Sequence, residues 1–412
     1  MSQDLEQSQL RESAEIDRSA PRRELFLGPP DRKERRVCTP SRNLVPSLHD
    51  AAEIARDTNR PMWQRFNRFG PGTPFATRSL GAPLVVVLGM VLASPFLLGC
   101  NSEYQRPVNS RGTLVIKLGH VLPPDHPVHV ALELMGAKIK EKSGGKMELQ
   151  ISGSGKLGGE AAMLDQVQMG SLHMTKSSVA PLEQSVPIMG VFSVPYIFRD
   201  ATHYWRVLEG PIGKEVLAST SVALYHGLCF YDSGSRSFYT KEKPILVPAD
   251  LAGMKIRVME SATAIAMIDA LGASPTPMSF SELYTSLSQG TVDGAENNPP
   301  SFSSSKHFEV CKHYSLDEHT MVPDIMLISE KFWAVLTDQE RRIVQEAADE
   351  SAVYQRELWA AAVQESLDEV IAAGVKVHHP RKAPFVDKVK QMHDSYQGTP
   401  VGAMIARIKE VK

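Results

Sequence analysis

From Thr337 the chain runs "TDQERRIVQEAADESAVYQRELWAAAVQESLDEVIAA" with no proline or glycine until Gly374. Thr337 and Glu340 form a capping box, so the run starts as a helix and nothing inside it breaks the helix. At about 1.5 Å per residue such a helix would be on the order of 50 Å long, more than one small body of protein requires. Its apolar positions, Ile343, Ala347, Tyr354, Leu358, Leu367 and Val370, do not keep a strict heptad. A brace across two bodies fits this pattern better than a coiled-coil or interaction helix.

The rest of the chain supplies two such bodies. Its 412 residues exceed what a single core usually serves. "TLVIKL" is a β-branched run, and the segment after it carries Val128, Ala131, Leu132, Met135 and Ile139 at helical spacing, with Asp125 as the expected cap and Gly144 and Gly145 as the stop. "KMELQIS" alternates as a strand, "GGEAAMLDQVQMG" is a helix closed by Gly170, and "SLHMTKSS" begins another strand. This order predicts a parallel α/β sheet. The theme returns in "KIRVM", "SATAIAMIDALG", "SFSELYTSLSQG" and "TVDGAEN". Leu164, Val167, Gly170 and Leu172 fall over Tyr284, Leu287, Gly290 and Val292, a faint internal echo. Two α/β lobes imply a cleft at the carboxyl ends of their strands.

The N-terminal part speaks to compartment. Residues 80–99, "LGAPLVVVLGMVLASPFLLG", are uncharged and apolar, and Arg65, Arg68 and Arg78 precede them, as in a secretory signal. The run ends in "LLGC", which resembles a bacterial lipobox and implies lipid attachment at Cys100. A retained membrane-spanning helix is the other reading of a run this long. Residues 1–61 are polar, lack apolar periodicity and precede the signal, so we expect a spurious or disordered extension, a signal peptide over 62–99 opening at Met62, and a tether over 100–112.

A net charge of -2 implies no basic face for nucleic acid. The four cysteines, Cys38, Cys100, Cys229 and Cys311, show no metal or redox spacing, which leaves a Cys229–Cys311 disulfide open. The exported part contains no GxSxG, HExxH, P-loop or dinucleotide motif, so no cofactor is expected. His120, His126 and His129 lie close in sequence without an acidic or thiol partner, and no metal is expected there.

Arginine presents paired N–H donors that match a carboxylate. Arg257 sits within the strand-like "KIRV", and Arg236 lies beside small residues in "SGSRSFYT". Spacing alone fits either a structural salt bridge or a ligand clamp. The segments "SGSRSFYTKEKPILVPADLAGMKIRV", "LGASPTPMSFSELYTSLSQGTVDGAENNPPSF", "KEKSGGKMELQISGSGKLGGEAAMLDQVQMGSLHMT" and "FSVPYIF" together resemble the solute-binding proteins of TRAP transporters, the DctP family. The resemblance covers residues 113–395. It implies a two-lobed periplasmic-binding-protein-like α/β fold with hinge strands and a long C-terminal helix bridging the lobes. It also implies a periplasmic receptor that closes on a small organic acid and delivers it to a membrane permease, with no enzymatic step. Lobe I is expected at about 113–233 and 322–336, lobe II at about 234–321, the bridging helix at about 337–373, and a tail at 396–412. By the same resemblance Arg257 is the principal carboxylate clamp, with Arg236, Phe280 and Asn297 beside it.

Departures from the family pattern bear on the ligand. Ser178 stands where the resemblance places a glutamate in sialic-acid binders, which disfavours sialate. His120, Glu318 and His319 would offer mixed donors and acceptors suited to hydroxyls, and Lys176 is the candidate second cation that a dicarboxylate would need. A sugar acid, a uronate or aldonate, is the first expectation, and a C4-dicarboxylate or 2-oxo acid the second. A lipid-anchored enzyme using Glu260 or Asp232, and a structural or adhesion lipoprotein, are the rivals from other classes.

Overall fold

The computed structural model describes residues 104–412. The expected extension over 1–61, the expected signal peptide over 62–99 and Cys100 lie outside that range.

Among the described residues eleven strands form two sheets. The first has the order β2 (Met147–Ser152), β1 (Leu114–Gly119), β3 (Met174–Ser178), β10 (Asp324–Ser329), β4 (Tyr225–Tyr231). The second has the order β11 (Lys376–His378), β9 (His313–Thr320), β5 (Arg236–Thr240), β8 (Gly294–Asn297), β6 (Lys255–Val258), β7 (Ser274–Pro277). The fold is the two-lobed α/β arrangement expected.

The expectation of parallel sheets holds only in part. β1, β2 and β3 are parallel, as are β6, β7 and β8, and helices connect each set. β10 runs antiparallel to β3 and β4, and β5 runs antiparallel to β8 and β9. These two strands enter from the opposite sheet through short links, β4 into β5 and β9 into β10. Each begins at the cleft, with Arg236 or Asp324, where its parallel neighbours end, with Asn297 or Ser178, and so runs against them.

The first lobe packs Ile116, Leu118, Leu132, Met163 and Val167 with Phe192, Tyr204 and Leu327. The second lobe has a core on each sheet face. One contains Ile256, Val258, Met267 and Ile268, and the other Tyr239, Leu283, Leu287, Phe302 and Tyr314. Gly170 (φ 83) and Gly290 (φ 75) both end their helices in the left-handed region, so the internal echo marks equivalent turns.

The helix Asp338–Ala372 has 35 residues and the capping box expected at Thr337 and Glu340. Val344, Ala347 and Ala348 join the first lobe's core, and Val370 joins a core of the second. The helix is a brace.

Two expectations are corrected, and one open question is answered. The helix Pro127–Lys142 is capped by His126, whose Nδ1 accepts from Val128 N at 3.2 Å, because Pro127 takes the first helical position in place of Asp125's expected neighbour. The stretch 396–412 contains the helix Pro400–Glu410, which puts Met404, Ile405 and Ile408 into the first lobe's core, so it is no loose tail. Cys229 and Cys311 are both free and lie in different cores.

Candidate functional site

A cavity lies between the two lobes. The first lobe contributes Val121, Leu122 and His126 after β1, Glu160 at the start of the helix Glu160–Met169, Lys176 and Ser178 on β3, and Asp324 on β10. The second contributes Arg236 at the start of β5, Arg257 on β6, Phe280, and Asn297 at the end of β8. Trp359, from the long helix, closes it. Of the predicted site residues, Arg257, Arg236, Asn297, Phe280 and Lys176 come together here; His120, Glu318 and His319 do not.

Arg257 is only 2% exposed. Its Nε and Nη2 both donate to the Met278 carbonyl, at 3.0 and 2.7 Å, and the Phe280 ring lies 5.8 Å from the guanidinium carbon. Nη1 is buried without a hydrogen-bond partner among the described residues. The ion pairs at the cavity wall are Lys176–Asp324 and Arg236–Glu296, and Arg257 belongs to neither. Burial, the largest influence, pulls its pKa below the ordinary arginine value, yet a guanidinium remains charged at any physiological pH. A buried cation facing a cavity without a counter-ion is costly unless an anion completes it.

Arg236 is differently placed. Its Nε donates to Glu296 Oε2 at 2.5 Å, its Nη2 to Glu296 Oε1 and the Glu296 carbonyl at 2.9 and 2.8 Å, and its Nη1 to Asn297 Oδ1 at 2.7 Å. Four of five N–H groups are thus used, and the charge is neutralised. Burial would raise the Glu296 pKa, but Arg236 and His319 outweigh it and hold that carboxyl at about 2. Asn297 Oδ1 also accepts from Asn298 N at 2.9 Å, which leaves the Asn297 amide nitrogen to face the cavity.

His319 stands behind this pair. Its Nδ1 lies 2.9 Å from Asp317 Oδ2 and its Nε2 3.5 Å from Glu296 Oε2. Burial favours the neutral ring, but the two carboxylates prevail and raise its pKa to about 9. The imidazolium therefore supports Glu296 from outside the cavity. Glu318 pairs with Lys382 on the surface of a second hollow that His319 also borders. The sequence pattern "DEHT" could not tell which strand face looked inward: Asp317 and His319 share the buried face behind the cavity, and Glu318 turns to solvent.

Lys176 donates to Asp324 Oδ2 at 2.7 Å and lies 3.7 Å from Glu160 Oε1. Two carboxylates attend one ammonium, so Lys176 is no free second cation. Burial raises the Glu160 pKa, with Asp324 adding to the effect and Lys176 opposing it.

His120 is buried and does not line the cavity. Its Nδ1 accepts from Leu122 N at 3.2 Å, so Nε2 carries the proton and donates to His129 Nδ1 at 2.9 Å. Burial first, then Lys176 and His129, lowers its pKa to about 3, and the ring is neutral. It shapes the loop carrying Val121 and Leu122, while the histidine lining the cavity is His126. Asp232 is occupied by Trp205 Nε1 and Gly234 N, and Glu260 borders a separate groove.

The description "DctP: Bacterial extracellular solute-binding protein, family 7" fits residues 118–399 as a family model. The chain belongs to this family. DctP-family proteins are transport receptors and not enzymes. The 2,3-diketo-L-gulonate-binding periplasmic protein YiaO of Escherichia coli is 30% identical over 302 residues, 72% of this chain and 92% of YiaO. A TRAP periplasmic solute-binding protein from Xanthobacter autotrophicus, solved with β-D-galacturonate, shares 38% identity at a TM-score of 0.70 over 72% of this chain and 100% of its own. Another from Roseobacter denitrificans, solved with β-D-glucuronate, shares 37% identity at a TM-score of 0.70 over 72% and 100%.

Within this DctP-family chain, the residues that sequence reasoning missed are Glu160, Asp324, His126, Asn298, Ser301 and Trp359. Asp324 and Asn298 stood in the loop-like "VPD" and "NNPP", where a polar side chain carries no positional signal. Trp359 stood in a helix read only as a brace. A large aromatic beside the small residues of "ELWAAAVQ" was the available sign that this face is covered.

Proposed function

We propose that this DctP-family receptor binds a hydroxylated monocarboxylic acid, a uronate first of all, with its carboxylate on Arg257. The observation that supports this reading is the charge pattern of the cavity wall. Arg236 is matched by Glu296, Lys176 by Asp324 with Glu160 beside it, and Arg257 alone has no counter-ion and an unpaired Nη1. One carboxylate completes this set. A second would meet Glu160 and Asp324 around the Lys176 ammonium, which disfavours a dicarboxylate.

The remaining polar atoms suit hydroxyls. The Asn297 amide, one N–H of Arg236 and the Ser178 hydroxyl are donors, and the carboxyls of Glu160 and Asp324 are acceptors. The relatives solved with galacturonate and glucuronate support the ligand class. Binding would draw the lobes together about the links between β4 and β5 and between β9 and β10, as a clamp. Family members work with membrane permease subunits on the extracytoplasmic side. Attachment to the membrane through a lipid on Cys100 is part of the same proposal; loss of palmitate labelling in Cys100→Ser tests it, and unchanged labelling would reject it.

The deciding experiment is a thermal-shift screen followed by calorimetry over D-galacturonate, D-glucuronate, D-erythronate, succinate, pyruvate and sialate. A uronate or aldonate should raise Tm and bind at least tenfold more tightly than succinate. Succinate binding more tightly than every sugar acid would overturn the reading.

A further inference from the structure

Trp359 is the residue through which the helix Asp338–Ala372 reaches the cavity. Its one polar group, the indole N–H, is a donor only, and buried indoles ordinarily find it a partner. Trp205 follows that rule, donating to Asp232 Oδ2 at 3.2 Å. Trp359 does not: its Nε1 is buried with no hydrogen-bond partner among the described residues.

The ring is held in place on two sides. Gly234, at φ 56, lies so close that a Cβ there would be 2.9 Å from Nε1. Glycine is thus required both for the left-handed backbone and for the indole to seat. The His126 ring lies 5.8 Å away by centroids, and its own nitrogens are occupied, Nδ1 by Val128 N and Nε2 by Ser301 Oγ at 3.3 Å. A fixed ring gives a donor of fixed position, the condition under which a single hydrogen bond discriminates between ligands.

We propose that Trp359 is a specificity-determining residue, its indole N–H donating to one hydroxyl of the bound acid. A ligand without that hydroxyl leaves the donor buried and unpaired, so plain short-chain acids are rejected even though Arg257 would accept their carboxylate. This deepens the sugar-acid reading and rests on it. It also assigns the brace a part in recognition, because a ligand that satisfies Trp359 touches the helix as well as both lobes.

The test is calorimetry of wild type and Trp359→Phe with D-galacturonate, D-glucuronate and their monodeoxy analogues. Phenylalanine removes the N–H and keeps a ring. Trp359→Phe should bind the parent uronate about 5- to 30-fold more weakly. One monodeoxy analogue should lose a similar factor in wild type and nothing further in the variant, the signature of a coupled pair. Equal affinity of variant and wild type overturns the assignment. So does a uniform loss across parent and every analogue, which would mark packing alone. Failure of both uronates to bind wild type overturns the sugar-acid reading, and this assignment with it. Should Trp359→Phe not fold, 3-benzothienylalanine at position 359 keeps the indole outline without the N–H, and the same outcomes apply.

Discussion

Arg257 and Met278 meet through two hydrogen bonds to a single carbonyl, which fixes the guanidinium plane and leaves Nη1 unpaired at the cavity. Arg257→Ala should remove the carboxylate partner and weaken uronate binding more than tenfold, since a charge-assisted bond is worth about 1.5–3 kcal/mol. Arg257→Lys should recover little, because an ammonium cannot hold the Met278 carbonyl and the ligand in one plane. Calorimetry on both variants checks this, and wild-type affinity in Arg257→Ala would remove Arg257 from the site.

Lys176 gives a second expectation. With Asp324 on its ammonium, it offers no berth to another carboxylate. Succinate should therefore give no thermal shift under conditions where a uronate does. In Asp324→Asn the ammonium loses its closest counter-ion, and succinate affinity should rise relative to uronate affinity.

Stability should peak near neutral pH, and the signs follow from two kinds of histidine. His120 and His307 are held at about 3 and His173 at about 4, chiefly by burial. Their folded pKa values lie below the unfolded value of about 6.5, so the stability they carry is present above that pH and lost as pH falls toward the folded values. His319, at about 9, is the reverse: its contribution is complete below about 6.5 and lost as pH rises through about 9. Chemical denaturation from pH 4 to 10 should show both flanks, and His319→Gln should flatten the alkaline one.

Thr337 Oγ1 accepts from Glu340 N at 3.3 Å, and Glu340 Oε2 accepts from Thr337 N at 2.7 Å while pairing with Arg106. Thr337→Ala should cost about 1 kcal/mol of stability. Its ligand affinity should match wild type, because the cap lies at the far end of the brace from the second lobe.

Much of the fold was legible because helices and parallel strands announce themselves by period and by glycine stops, as Gly170 and Gly290 did. The antiparallel entry of β5 and β10 was not legible, since direction depends on which sheet a strand joins and not on its own residues. The site divides the same way. Arg257, Phe280 and Asn297 came from a resemblance spread over residues 113–395 and fell at the cavity. His120, Glu318 and His319 were chosen for polarity at strand ends, and polarity does not report which way a side chain turns. Arg236 also lines the cavity, and the salt bridge that spacing had left open for it is its pair with Glu296, the residue just before Asn297.

The helix Pro400–Glu410 has a mechanical meaning. The chain passes between the lobes from β4 to β5, back from β9 to β10, out again along the brace, and home through residues 396–399 to seat Met404, Ile405 and Ile408. Neither lobe is a contiguous stretch of sequence, so no single segment of the chain contains either. Four covalent straps across one waist permit bending and resist shear, and the protein's freedom is thereby narrowed to something near a single coordinate.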